Sequence, residues 1–174
     1  MTSSEKVLYI TKWIKNYVDN MPSKAQSLVI GISGGIDSSV SSTLCAMTGL
    51  KTIVLSMPIK QIKGQQELSL KHLEWLKNKF KNVESHLIVL DDLFKSFKTS
   101  LSKFDSEHGL ANSRARLRMA TLYQVAASNN GIVVGTGNKV EDFGVGFYTK
   151  YGDGGVDISP IADCNKSEVW ELGK

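Results

Sequence analysis

The sequence predicts an α/β protein: a doubly wound, mostly parallel sheet with helices on both faces. Three observations carry that prediction. The short runs at 27–32 (SLVIGI), 51–57 (KTIVLSM) and 131–135 (GIVVG) hold consecutive apolar residues at their centres rather than alternating, as strands covered on both faces do. Longer stretches between them place apolar residues at helical spacing. Strands and helices alternate along the chain, the pattern of βαβ units.

In chain order, residues 4–17 predict a first helix, with Val7, Ile10, Ile14, Tyr17 and Val18 in helical register and Thr2 and Glu5 spaced for a capping box. The first strand, 27–32, ends in glycines and leads to a helix over 38–47. The second strand, 51–57, precedes a helix over 65–80 that sets Leu73, Leu76 and Phe80 on one stripe. The run 86–90 (HLIVL) predicts the third strand, followed by a helix over 92–104. A strong helix over 112–127 turns Ala115, Met119, Leu122 and Ala126 toward the core, and 131–135 is the fourth strand. From Glu141 to Asp157, five glycines among scattered aromatics predict a long loop, a class that is usually functional or disordered. Residues 166–174 begin a helix that stops while still polar. The expectation is therefore a single domain over 1–174 with its C-terminal part missing.

With 174 residues, 41% hydrophobic and 22% charged, the composition excludes disordered and low-complexity classes. No run approaches the roughly 18 consecutive apolar residues of a spanning helix, so no membrane partner is expected. The N-terminus lacks the basic region and apolar run of a secretory signal. Cys45 and Cys164, the two cysteines, form no CxxC pair, which argues against a disulfide scaffold, a zinc site and a dithiol redox centre. A soluble, cytoplasmic protein is expected. The net charge of +4, from 21 basic and 17 acidic residues, is mild and spread along the chain, so no nucleic-acid partner is expected; a solvated surface and local attraction of small anions both fit it. His72, His86 and His108 show no ligand spacing, and His86 reads as structural. Trp13, Trp75 and Trp170 read as core packing, and Cys45 as a small buried thiol.

In a sheet of this kind the ligand crevice lies beyond the carboxyl ends of the strands. Two loaded segments follow strands there, 33–38 and 136–141. In the first, Gly31, Ile32, Ser33, Gly34, Gly35, Ile36, Asp37 and Ser38 join a buried strand to a helix. Adjacent glycines let successive amides point at one spot, the serines add hydroxyls, and the helix start adds its positive dipole end. The result is a cradle for phosphate. It lacks the Gly-Lys-Ser/Thr ending of a Walker loop and the GxGxxG spacing of a dinucleotide fingerprint. Asp37 would repel a phosphate there unless a divalent cation bridged the two, so the loop predicts metal–polyphosphate binding; a plain strand–helix turn is the alternative.

The stretch SGGIDSS resembles the pyrophosphate loop of the ATP pyrophosphatases, whose fold is adenine nucleotide alpha hydrolase-like and Rossmann-like. Within that superfamily, Asn112-Ser113-Arg114-Ala115-Arg116-Leu117-Arg118-Met119 resembles the N-x-[KR]-A-R-x-R-M helix of the NAD synthetases. The segment GTGNKVE at 135–141, with GFYTKYGDGGVD at 146–157, is similar to the same family's second signature. On these residues the chain is identified as a member of the ammonia-dependent NAD synthetases. It carries one more residue between Glu141 and Lys150 than the common bacterial pattern.

The resemblance implies ATP-dependent amidation of deamido-NAD with ammonia, through an adenylate, releasing AMP and pyrophosphate. It implies that Gly31, Ile32, Ser33, Gly34, Gly35, Ile36, Asp37, Ser38, Thr136 and Lys166 bind ATP, and that Asp37 and Glu141 hold Mg²⁺. Arg116, Lys150 and Asp157 match positions contacting deamido-NAD, the last two reaching the ligand of a neighbouring subunit in a homodimer. No protein nucleophile is implied. No region could supply a glutaminase, so the nitrogen would come from free ammonia or a partner. Helical geometry independently directs Arg116 away from Arg114 and Arg118, as a dedicated anion clamp would be. A tRNA-modifying ATP pyrophosphatase and a nucleotide-binding sensor module without turnover are the alternatives.

Overall fold

Ser27–Gly31 (β1), Lys51–Ser56 (β2), Val83–Leu87 (β3) and Gly131–Val134 (β4) pair in parallel in the order β3-β2-β1-β4. The computed structural model describes residues 1–60 and 63–174, apart from the Lys63 side chain. Leu28, Val29 and Ile30 of β1 are inaccessible to solvent, because β1 lies between two strands and beneath helices on both faces. The pleat sends successive residues to opposite cores. Leu28 and Ile30 join Val54, Ile132 and Val134 under Ser3–Asp19 (α1), Ile36–Met47 (α2), Lys63–Lys79 (α3) and Lys166–Leu172 (α6). Val29 joins Ile53, Leu55 and Val133 under Asp91–Ser100 (α4) and Glu107–Ser128 (α5). Two cores back to back are the doubly wound arrangement.

The chain winds outward from β1 to β2 and β3, then crosses back to lay β4 on the other side of β1. That reversal opens a crevice at the carboxyl ends of β1 and β4. After β4 the chain returns beside it: Ile158 bridges Val134 in parallel, and the Gly135 N–H donates to the Ile158 carbonyl at 2.8 Å.

The Thr2–Glu5 capping box forms, with the Thr2 N–H donating to Glu5 Oε2 at 2.7 Å and the Glu5 N–H to Thr2 Oγ1 at 3.2 Å. Several boundaries differ from the sequence prediction. The helix predicted from 38 begins at Ile36, which brings Asp37 into its first turn. The helix predicted from 112 begins at Glu107, capped by the Ser106 hydroxyl on the Gly109 N–H. The third strand is Val83–Leu87 rather than 86–90. It is the sheet edge with one neighbour, so polar VESHL pairs with β2 while Leu90 turns inward to open α4. The long glycine-rich loop contains a single π-helical turn, Val140–Val145. Trp13, Trp75 and Trp170 are exposed rather than in the core; Trp75 stacks on His72 and Trp13 tilts against Tyr17. Cys45 is buried, and burial pushes its thiol up to about 12.

Candidate functional site

The loop between β1 and α2 is held by its own hydroxyls. Ser33 Oγ accepts from the Gly35 N–H at 3.2 Å and lies 3.1 Å from Ser38 Oγ. Ser38 Oγ donates to the Gly35 carbonyl at 2.9 Å, and Ser39 Oγ donates to the same oxygen at 3.0 Å. Gly34 adopts φ +91°, and a Cβ there would stand 2.6 Å from the Gln65 carbonyl oxygen of α3. Left-handed backbone and close approach together require glycine.

A pocket of about 470 Å³ opens beside this loop. Gly31, Ile32, Ser33 and Ser38 line it from one side, and Gly135 and Thr136 line it from the end of β4. Met57 and Ile59 follow β2, while Ala115, Arg118, Met119 and Leu122 close it from α5. Arg118 Nε donates to the Met57 carbonyl at 2.9 Å; burial and then neighbouring Arg114 lower the guanidinium's pKa. The sequence reading assigned Arg118 no role. The signal was present, for Arg118 falls on the same helical stripe as Ala115, Met119 and Leu122, an arginine where core residues belong.

Next to the pocket lies an ionic cluster. Lys166 Nζ donates to Asp37 Oδ2 at 2.5 Å and to Glu141 Oε1 at 2.9 Å. Burial works against the ammonium, but the hydrogen bonds to Asp37 and Glu141 outweigh it and its pKa is raised. Asn138, with no exposed surface, joins the two acids. Its Nδ2 donates to Asp37 Oδ1 at 3.0 Å, and its Oδ1 accepts the N–H groups of Val140 and Glu141, each at 3.1 Å. One amide thus caps the turn carrying Glu141 and orients Asp37, a linkage that sequence spacing alone did not reveal. Asp142 packs over Gly137, where a Cβ would clash with its carboxylate. Burial, then the charges of Asp153, Glu141 and Asp37, raise the Asp142 pKa. Among the described residues no group of three or more His, Cys, Asp or Glu is arranged to hold a metal.

The remaining candidates separate. Arg116 and Lys150 meet: Arg116 Nε donates to the Lys150 carbonyl at 3.1 Å, and both side chains are exposed. Nearby, Thr149 Oγ1 donates to Asn112 Oδ1 at 2.8 Å, so α5 positions the turn at 149–153. Asp157 lies outside the pocket lining. Its carboxylate accepts from the Val133 N–H at 2.7 Å and the Tyr123 hydroxyl at 3.1 Å. Burial, and then Asp157, push the Tyr123 phenol up to about 12. The Ile36 side chain turns away from the crevice to pack on the core beneath α2 and α6. The geometry therefore offers a serine-lined loop, an adjoining, mainly apolar pocket, and two acids converging on one cation.

Sheet order and the crevice at the reversal make this an α/β protein of the adenine nucleotide alpha hydrolase-like fold. The family model described as NAD synthase matches residues 6–174, and the chain belongs to that family. It is 38% identical over 169 residues to the NH(3)-dependent NAD(+) synthetase of Saccharolobus solfataricus, covering 95% of this chain and 58% of that protein. The Methanosarcina acetivorans protein of the same name is 37% identical, covering 95% of this chain and 64% of its own length. Among solved structures, the NMN synthetase from Francisella tularensis superposes with a TM-score of 0.90 at 36% identity, covering 99% of this chain and 70% of that one. The NH3-dependent NAD synthetase of Campylobacter jejuni, in complex with nitrate, gives 0.87 at 32% identity over 99% and 72%. The chain thus spans about three-fifths of the first two curated relatives. These matches do not favour the tRNA-modifying and sensor alternatives. Among the described residues no helix is long and apolar enough to cross a membrane.

Proposed function

We propose that this chain carries the ATP-dependent amidation of deamido-NAD with ammonia, as a single domain within a cytoplasmic homodimer. The observation that carries the reading is the convergence of Asp37 and Glu141 on one cation, beside the serine-lined loop at the carboxyl end of β1. The 470 Å³ pocket falls within the range that takes small-molecule ligands, and its mixed lining suits a nucleoside.

The donor set fits Mg²⁺: two hard carboxylates with a position between them already taken by a cation, leaving other ligands to substrate phosphates. Asp37 and Glu141 would hold the ion, and when bound it neutralises charge on the phosphates. The loop amides of 31–38 and the α2 dipole orient the β- and γ-phosphates, Thr136 borders the nucleotide, and Lys166 adds a positive charge. The nicotinate carboxylate attacks the α-phosphorus, the bond to the pyrophosphate oxygen breaks, and an acyl adenylate forms. Ammonia then adds to the acyl carbon, AMP departs, and the surplus proton leaves to solvent. Arg116 and Lys150 grip the dinucleotide's anionic groups, and Asp157 borders a ligand across the dimer. No side chain need serve as nucleophile.

The likeness to the NMN synthetase supports a second reading, in which the acid amidated is nicotinate mononucleotide. Incubation with ATP, Mg²⁺, ammonium and each acid in turn separates the two. Equal yields of AMP and NAD from deamido-NAD support the first reading, and preferential turnover of the mononucleotide supports the second. ATP cleavage only on addition of tRNA would discard both.

A further inference from the structure

Lys166 is the first residue of α6, fixed from both ends. The Asn165–Glu168 capping box sets the helix start, with the Asn165 N–H donating to Glu168 Oε2 at 2.8 Å, and Val169 anchors the next turn in the core. Glu168 is itself paired with Lys6 of α1. Its position is therefore determined by packing remote from the acids it meets. The Lys166 ammonium reaches both at once, 2.5 Å from Asp37 Oδ2 and 2.9 Å from Glu141 Oε1.

An ammonium on those two oxygens competes directly with a divalent ion for them. It also cuts the charge of the pair from two negatives to one. A free metal ion would have to displace Lys166 and then face its positive charge at close range, where attraction and repulsion are poorly screened. A nucleotide changes the balance, because its polyphosphate gives the displaced ammonium a new anionic partner. We propose that Lys166 is a resident counter-ion that sets binding specificity: the acid pair refuses free divalent metal and accepts metal delivered with nucleoside triphosphate. This rests on the reading of Asp37 and Glu141 as the metal carboxylates.

The test is Mn²⁺ titration followed by electron paramagnetic resonance, first with no nucleotide and at no point with turnover. Lys166→Met should bind free Mn²⁺ about ten-fold or more tightly than the unaltered chain, while Lys166→Arg, which keeps the charge, should stay weak. Adding a non-hydrolysable ATP analogue should restore tight Mn²⁺ binding to the unaltered chain. Asp37→Asn placed in the Lys166→Met background should erase the gain. If Lys166→Met gains nothing while analogue-dependent Mn²⁺ binding still requires Asp37, the counter-ion role is wrong and the metal assignment stands. If the gain survives Asp37→Asn, the ion sits elsewhere, and the metal assignment and the counter-ion role both fall.

Discussion

The loops that follow β1 and β4 are built differently. The first, at 31–39, grows out of β1, whose Leu28, Val29 and Ile30 have no solvent exposure, and runs into α2, whose Val40 and Leu44 are core. Its serines close hydrogen bonds within the loop itself. In the second, residues 143–148 run from within the π-helical turn to just beyond it, with Phe143 75%, Val145 73% and Phe147 79% exposed. A backbone bond from the Phe147 N–H to the Glu141 carbonyl at 2.8 Å, and Gly146 at φ +71°, shape that stretch with little burial beneath it. Ordering backbone costs about 1–2 kcal/mol per residue, which apolar burial offsets in the first loop and not in the second. The loop after β1 is thus ordered by its own contacts, whereas the stretch at 143–148 has little apolar burial to order it.

Measurement can separate the two loops. The largest effect belongs to the first: Asp37→Asn should leave the fold intact and lower adenylation on the order of 10³-fold or more, the consequence of losing a charge-stabilising ligand. Rapid-quench measurement of AMP formation, with circular dichroism as the fold control, checks it; near-normal turnover would remove Asp37 from the metal site. The second loop should show itself in amide hydrogen exchange. Residues 143–148 should exchange rapidly in the free chain and slow by roughly 100-fold with ATP and deamido-NAD, while strand β1 stays protected throughout. Equal, strong protection of both in the free chain would erase the distinction.

A smaller effect is expected at Arg116 of α5. Arg116→Lys keeps the charge but loses the planar two-pronged donor, so the KM for deamido-NAD should rise by about ten-fold with ATP affinity little changed. The opposite split would make Arg116 an ATP residue. The smallest effect lies between α3 and α2, where His72 Nε2 lies 3.0 Å from Ser42 Oγ. Burial lowers the His72 pKa below its ordinary 6.5, and a hydrogen bond with Ser39 only partly opposes it. The unfolded chain therefore binds the extra proton between the two values. The stability of a neutral His72 is complete above 6.5 and is lost as pH falls below it. Moving from pH ~7.5 to pH ~5.5 should lower Tm more in the unaltered chain than in His72→Phe, each kcal/mol appearing as about 2–4 °C in scanning calorimetry. Parallel curves would show that His72 titrates normally.

What could be read in advance follows the same division. Strands β1, β2 and β4 were legible because burial on both faces leaves uninterrupted apolar runs, and Thr2 with Glu5 announced a helix start by local chemistry. Strand β3 was misplaced by three residues because an edge strand tolerates Glu84 and His86, which pair with each other on its exposed side. The three tryptophans misled for a related reason: helical position fixes spacing, not which face lacks a neighbour. At the site, Gly31, Ser33, Ser38, Asp37, Thr136 and Glu141 were legible as motif. The Lys166 bridge and the Asn138 amide were not, since they join segments 129 and 101 residues distant from Asp37. Only the tertiary fold creates those contacts.

On the proposed function, the site beside the β1 loop activates a carboxylate as its adenylate before ammonia enters. Exchange of labelled pyrophosphate into ATP, measured without ammonium, tests it directly. Exchange should require Mg²⁺ and a nicotinate-bearing nucleotide and should disappear in Asp37→Asn. Exchange indifferent to the nicotinate acid, or none at all in a chain shown to bind both ATP and that acid, would contradict it.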